Sequence, residues 1–224
     1  MLLKTLVIAA LFSASVCHAN IVVINIVGLP GVYENGTYNG FATATVAGIP
    51  NQLLLCDDSA HTTYVPSGDL VYDFSSLPTL QYARFAPALQ KYEEAAVLLY
   101  ELAQVQSSDP NYNDVVTEYQ YAVWTLFSNS HTLADSNLLV ASQGLQTTAL
   151  AYVTGTQTAP SWLKTAYAEL AIYTPDSTAA NLPIGNASNQ EFLALNPAPE
   201  PAMGWVIAFI GCAAGIVKLR RRRA

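Results

Sequence analysis

Apolar and polar positions along the first third of the chain follow the pattern of β-strands. Three segments have this pattern, at residues 20–28, 51–56 and 62–74. Between the first two, the dipeptides Asn35-Gly36 and Asn39-Gly40 favour tight hairpin turns. The pattern therefore predicts antiparallel strands joined by short turns.

The middle of the chain changes to the helical period. Pro87 suits the start of a helix, and apolar residues then recur at Leu89, Tyr92, Ala96, Leu99 and Ala103. Asp109-Pro110 predicts the start of a second helix that runs to about Phe127.

Three later segments complete the prediction. Residues 133–153 and 161–173 are predicted as a third and a fourth helix, and residues 189–195 as a closing strand that returns to the sheet. The expected fold class is α+β, a mainly antiparallel β-sheet with an inserted group of about four helices, forming one exported domain at residues 20–195.

The N-terminal residues 1–19 have the features of a secretory signal peptide. Lys4 supplies the positive start, an apolar run covers Leu6 to Phe12, and small residues lead to Ala19. This apolar run is well below the roughly 20 residues that a membrane-spanning helix needs. The chain is therefore predicted to be exported.

The C-terminal end combines a Pro/Ala linker, an apolar segment and a basic tail, at residues 196–202, 203–219 and 220–224. The motif residues are Pro199, Glu200 and Pro201 in the linker and Arg220, Arg221, Arg222 and Arg223 in the tail. An apolar helix followed by a basic cluster orients with the cluster in the cytoplasm.

This order of features resembles the PEP-CTERM sorting signal of Gram-negative bacteria. The resemblance implies a transmembrane sorting helix at residues 203–219, processing by an exosortase, and a transient anchor in the inner membrane. It also implies delivery to the cell surface or the extracellular matrix.

The charge of the exported part excludes one class of partner. Only Arg84, Lys91 and Lys164 are basic between the leader and the tail, against all sixteen acidic residues, so the net charge is −13. Such a surface repels nucleic acid.

Cys56 is the single cysteine of the exported domain, because Cys17 lies in the leader and Cys212 in the sorting helix. An intramolecular disulfide is therefore excluded, and an odd cysteine in an exported protein needs another explanation.

Gln120 is the second unusual residue, because it lies on an apolar face of the predicted second helix. Helical spacing places it beside Val116, Val123, Trp124 and Phe127. A buried amide without partners costs about 1–3 kcal/mol. Hydrogen bonds to a neighbouring backbone would compensate for that cost.

A covalent bond would compensate as well. A cysteine thiolate can attack a glutamine side-chain carbonyl and expel ammonia, which leaves an internal thioester between Cys56 and Gln120. Tyr121 and Trp124 would shield that bond from water.

The segments Leu55-Cys56-Asp57 and Tyr119-Gln120-Tyr121-Ala122-Val123-Trp124 resemble the two motifs of the thioester domains of bacterial surface adhesins. The resemblance implies that Cys56 supplies the thioester sulfur and Gln120 the acyl group. It also implies a fold that combines a β-rich part with inserted helices, and covalent capture of an amine on a surface.

Other interpretations of these residues remain open. Cys56 can be a small buried hydrophobe in a passive structural or matrix-binding module. His61 suggests a Cys–His hydrolase dyad, or a zinc site together with Asp58, although a structural zinc site needs four ligands. Asp57 and Asp58 could bind calcium, but a calcium loop has alternating acidic positions and these two are adjacent. Their simplest role is to cap a turn after the strand.

Nucleotide-binding, metalloprotease and serine-hydrolase motifs do not occur in the sequence, so neither a turnover enzyme nor a cofactor is expected. The expected function is that of an exported surface or matrix protein, a covalent adhesin if the thioester forms. Its expected partners are an exosortase and amine-bearing surface or matrix polymers.

Overall fold

The structure of the chain is a computed structural model, which describes residues 21–28, 31–34, 37–59, 67, 69–127, 135–176 and 189–195. The predicted signal peptide, linker, sorting helix and basic tail lie outside these residues. Within the described ranges, none of the helices has the length and apolar character needed to cross a membrane.

Eight strands are described: β1 (Ile21–Gly28), β2 (Gly31–Glu34), β3 (Thr37–Gly40), β4 (Ala42–Val46), β5 (Ile49–Cys56), β6 (Asp69–Ser76), β7 (Leu170–Pro175) and β8 (Phe192–Leu195). Six of them form a closed antiparallel barrel in the order β1-β4-β5-β8-β7-β6, and β2 pairs with β3 in a separate hairpin. The antiparallel sheet and the closing strand are confirmed.

Four helices are described between β6 and β7: α1 (Leu89–Leu102), α2 (Tyr112–Phe127), α3 (Ser136–Thr154) and α4 (Leu163–Glu169). The carboxylate of Asp135 caps α3 by accepting the backbone N–H of Asn137 at 2.7 Å, and Gly155 ends this helix in the left-handed conformation. The α+β class and the inserted helical group are therefore confirmed.

The predicted fourth helix was wrong in its second half. Residues 161–173 contain α4, but Leu170–Pro175 forms β7, which pairs with both β6 and β8. A leucine, an isoleucine and a tyrosine in this segment suit a strand that is buried on both faces, and closure of the barrel supplies partners on both edges.

The predicted turn at Asn39-Gly40 was also wrong. Both residues belong to β3, opposite Val32 and Gly31 of β2. The register pairs Glu34 with Thr37. Asn35-Gly36, the other predicted turn, falls in the intervening gap and outside the described residues.

Two apolar clusters lie on opposite faces of the barrel wall. Strand residues alternate between them: Leu54 and Cys56 belong to the barrel interior, and Leu55 belongs to the layer between barrel and helices. Helix α2 contributes to both clusters, because Tyr121 and Trp124 join the interior group. This position brings the core face of α2 to the end of β5.

Candidate functional site

Cys56 and Gln120 are brought together by the end of β5 and the middle of α2. Cys56 is the last residue of β5 and is 5% exposed, and the side chain of Gln120 is fully buried. Strand β4 begins at Ala42, opposite Leu54, so its ladder with β5 ends two residues before Cys56. The amide of Gln120 approaches the backbone there.

Two hydrogen bonds join the Gln120 amide to the backbone of Cys56. Its Oε1 accepts the Cys56 N–H at 3.0 Å, and its Nε2 donates to the Cys56 carbonyl at 2.5 Å. The cost of burying the amide on the apolar face of α2 is thereby offset, as hydrogen bonding to a neighbouring backbone predicts. Both bonds fix the side-chain carbonyl of Gln120 beside the residue that carries the thiol.

The thiol of Cys56 is free and held by the turn that follows β5. Its Sγ donates to the carbonyl of Asp58 at 3.2 Å and accepts the Asp58 N–H at 3.3 Å. Burial raises the pKa of the Cys56 thiol well above its ordinary value, and the acidic side chains of Asp57 and Glu191 nearby raise it further, while a hydrogen bond from Trp124 acts in the opposite direction. The sulfur is therefore protonated at neutral pH.

The two predicted shielding residues line the same interior. Tyr121 and Trp124 are almost completely buried, and both belong to the cluster that contains Cys56. Trp124 lies one helical turn after Gln120, so the indole and the amide share the face of α2 that points to β5.

A buried polar cluster beside Cys56 was missed from the sequence. The guanidinium of Arg84 forms an ion pair with the carboxylate of Asp58 and donates from Nη2 to the carbonyl of Asn189 at 3.2 Å. Glu191, fully buried before β8, accepts the backbone N–H of Arg84 at 2.7 Å and the hydroxyl of Tyr92 at 2.6 Å.

One signal for this cluster was available in the sequence. Arg84 is one of only three basic residues in the exported part, and a buried carboxylate needs a charged partner. The hydrogen bond from the backbone N–H of Arg84 to Glu191, across 107 residues, could not be predicted from the local pattern.

The metal and hydrolase interpretations depend on His61, which lies outside the described residues. Among the residues that the structure describes, no group of three His, Cys, Asp or Glu side chains could hold a metal ion. The ion pair with Arg84 engages Asp58, and this arrangement does not favour a calcium site.

Comparisons with known proteins give one structural similarity. No family model and no curated protein matches this chain. The N-terminal thioester domain of fibronectin-binding protein SfbI from Streptococcus pyogenes is similar with a TM-score of 0.43 and 14% sequence identity, over 83% of this chain and 97% of that chain. The contact between Cys56 and Gln120 is observed in the structure of this chain and does not depend on that similarity.

Proposed function

We propose that this protein is an exported surface protein that forms an internal thioester between Cys56 and Gln120 and uses it once, to bond covalently to an amine on a surface or matrix polymer. The observation that carries the proposal is the pair of hydrogen bonds between the Gln120 amide and the Cys56 backbone, at 3.0 and 2.5 Å, inside a buried apolar cluster. They hold the side-chain amide of Gln120 against the backbone of the residue that carries the thiol.

Thioester formation balances without a further reactant. The Sγ of Cys56 bonds to the Cδ of Gln120, the C–N bond of the amide breaks, and the NH2 group leaves as ammonia with the proton of the thiol. Negative charge develops on Oε1 during the attack, and the Cys56 N–H already donates to this atom at 3.0 Å. A fixed donor of this kind stabilises the tetrahedral intermediate.

Amine capture is the second step. An amine attacks the thioester carbonyl, the sulfur leaves and takes up a proton, and an amide between Gln120 and the target remains. Because the product is stable, the protein reacts once and does not turn over as an enzyme. Tyr121 and Trp124 keep water from the bond until the amine arrives.

The proposed targets follow from charge. The exported part has a net charge of −13, which concentrates cationic amine-bearing polymers near the surface and repels nucleic acid.

The proposed delivery rests on the sequence alone. The leader at residues 1–19, the motif Pro199 to Pro201, and the basic tail at residues 220–224 support export, exosortase processing and a transient stay in the inner membrane.

A second candidate function is a passive structural or matrix-binding module. It is favoured by the fact that both ends of the Gln120 amide and the thiol of Cys56 already have backbone partners. Such a clamp can stabilise the junction of β5 and α2 without any reaction.

Mass and alkylation distinguish the two functions. We would express the full chain with its own leader, purify it in mild detergent, and measure its mass and the alkylation of Cys56 before and after methylamine treatment. If the thioester forms, we expect the mass to be lower by one ammonia than that of the Cys56→Ala variant, after correction for the substitution. We also expect Cys56 to be alkylated only after methylamine treatment. A full mass, with Cys56 alkylated only on denaturation, would leave the passive module.

A further inference from the structure

Asp57, the residue after Cys56, is a fully buried acid. Neither of its carboxyl oxygens has a hydrogen-bond donor among the residues that the structure describes. An ionised carboxylate in that position would bear a large cost of desolvation. The environment therefore favours the neutral acid, which is itself a hydrogen-bond donor.

Glu191 lies beside Asp57 and is surrounded by donors. Its Oε1 accepts the hydroxyl of Tyr92 at 2.6 Å, and its Oε2 accepts the backbone N–H of Arg84 at 2.7 Å and the hydroxyl of Thr174. A carboxylate has about four acceptor positions, so one is left for the carboxylic O–H of Asp57.

An O–H of Asp57 donated to that position would make the two side chains a carboxylic acid–carboxylate pair that shares one proton. Burial raises the pKa of Asp57 well above its ordinary value, and the charge and hydrogen bond of Glu191 raise it further. This pair lies next to a thiol whose proton must leave before the sulfur can attack.

We propose that Asp57 and Glu191 are the proton relay of thioester formation, carrying the Cys56 proton to the ammonia that leaves Gln120. This inference rests on the proposed function. Other charged or titratable groups facing the pair are Arg84, Asp58, Tyr92 and Cys56. Among them, Arg84 is engaged with Asp58, and burial raises the pKa of Tyr92, so that its hydroxyl remains a donor.

The relay returns to its starting state. The S–H bond breaks as Asp57 takes the thiol proton on one oxygen and passes its own proton to Glu191. Sulfur bonds to Cδ, the C–N bond breaks, and the leaving NH2 takes a proton from Asp57, which recovers its own from Glu191. Thiol and amide have become thioester and ammonia, and no oxidant or reductant is consumed.

Ammonia opening of the thioester tests the relay, because it passes through the same transition state in reverse. The purified full chain is treated with ammonium buffers and samples are alkylated after denaturation. The rate at which the Cys56 thiol appears is divided by the concentration of free ammonia. The variants are Asp57→Asn, which can still donate to Glu191, and Glu94→Gln as a control that removes a buried acid from α1. Thermal melts confirm that each variant folds.

We expect Asp57→Asn to open about a hundredfold more slowly than the wild type, within the range of general acid–base catalysis, and Glu94→Gln to open at the wild-type rate. We also expect a bell-shaped pH profile for the wild type, because the relay needs one proton and one charge on the pair. A folded Asp57→Asn protein that retains its full mass would also support the relay, because the thioester had not formed.

Two results would overturn the relay while the thioester stands: an Asp57→Asn protein that opens at the wild-type rate, or a flat wild-type profile per free ammonia. The wild-type profile decides the matter even if Asp57→Asn does not fold. A wild-type protein without the mass loss would instead contradict the proposed function, and the relay would fall with it.

Discussion

Two helical glutamines, one in α2 and one in the neighbouring α3, hydrogen-bond to backbone outside their own helix in different surroundings. Gln120 of α2 is fully buried and uses both ends of its amide on the backbone of Cys56. Gln146 of α3 is half-buried and donates to the carbonyl of Ala122 at 2.8 Å and to the hydroxyl of Thr125. A helical glutamine that donates to a backbone carbonyl outside its own helix is thus not unusual in this protein, whereas a fully buried amide beside a cysteine is.

The surroundings of the two helices explain the contrast. Eight side chains of α2 are buried, whereas Ser142 and Ala149 are the buried residues of α3. Val140 and Leu150 of α3 remain exposed. Gln120 therefore lies in an interior that excludes water, while Gln146 joins two helices near solvent, where a reactive acyl group would be hydrolysed.

The largest expected effect is on amine capture. Gln120→Ala should abolish incorporation of a fluorescent primary amine into the full chain, because the acyl carbon is removed. Gln146→Ala should retain wild-type incorporation. Gel fluorescence after denaturation measures both, and labelling of Gln120→Ala at the wild-type level would show that the amine is attached elsewhere.

The same two substitutions should differ in stability. In a Cys56→Ala background, which has no thioester, Gln120→Ala should lower the free energy of unfolding by about 2–4 kcal/mol, because it leaves a cavity and two unpaired backbone groups. Gln146→Ala should cost about 0.5–1.5 kcal/mol, since water can reach its partners. Urea titrations measure the difference; equal costs would mean that the buried Gln120 contacts add no more stability than the half-buried contacts of Gln146.

Shielding of the thioester should have a smaller effect. Trp124→Phe keeps an aromatic ring but loses the indole beside Cys56, so water should hydrolyse the thioester severalfold faster, about 0.5–1 kcal/mol in the barrier. Trp162→Phe is the matched control, because Trp162 stacks on Tyr100 in the other cluster, with ring centroids 4.6 Å apart. The readout is the fraction of alkylatable Cys56 against time, and equal rates in the two variants would contradict shielding by Trp124.

The last expected effect is a pH dependence of stability. Since the pKa of Asp57 is raised in the folded protein, its contribution is fully present below the unfolded pKa of about 3.9 and is lost as pH rises toward the folded pKa. In the Cys56→Ala background, stability relative to Asp57→Asn should fall by at most about 1.4 kcal/mol per pH unit. Chemical denaturation at several pH values tests this. A constant difference would mean that Asp57 titrates normally.

Local sequence determined much of the secondary structure and the nature of the candidate site. Helical periodicity and the Asp135 cap are properties of neighbouring residues, so α1, α2 and α3 were predictable. The same periodicity put Gln120 on the core face of α2, and the count of cysteines isolated Cys56.

Tertiary structure decided what local patterns could not. Leu170–Pro175 became a strand because barrel closure supplied partners on both edges, which outweighed the apparent continuation of α4. Glu191 lies near Asp57 and Arg84 because the closed barrel pairs β5 with β8. Gln120 contacts Cys56, 64 residues away in the sequence, because α2 packs at the end of β5. Such contacts depend on closure of the whole barrel, because the local sequence does not indicate which distant backbone group a buried side chain will contact.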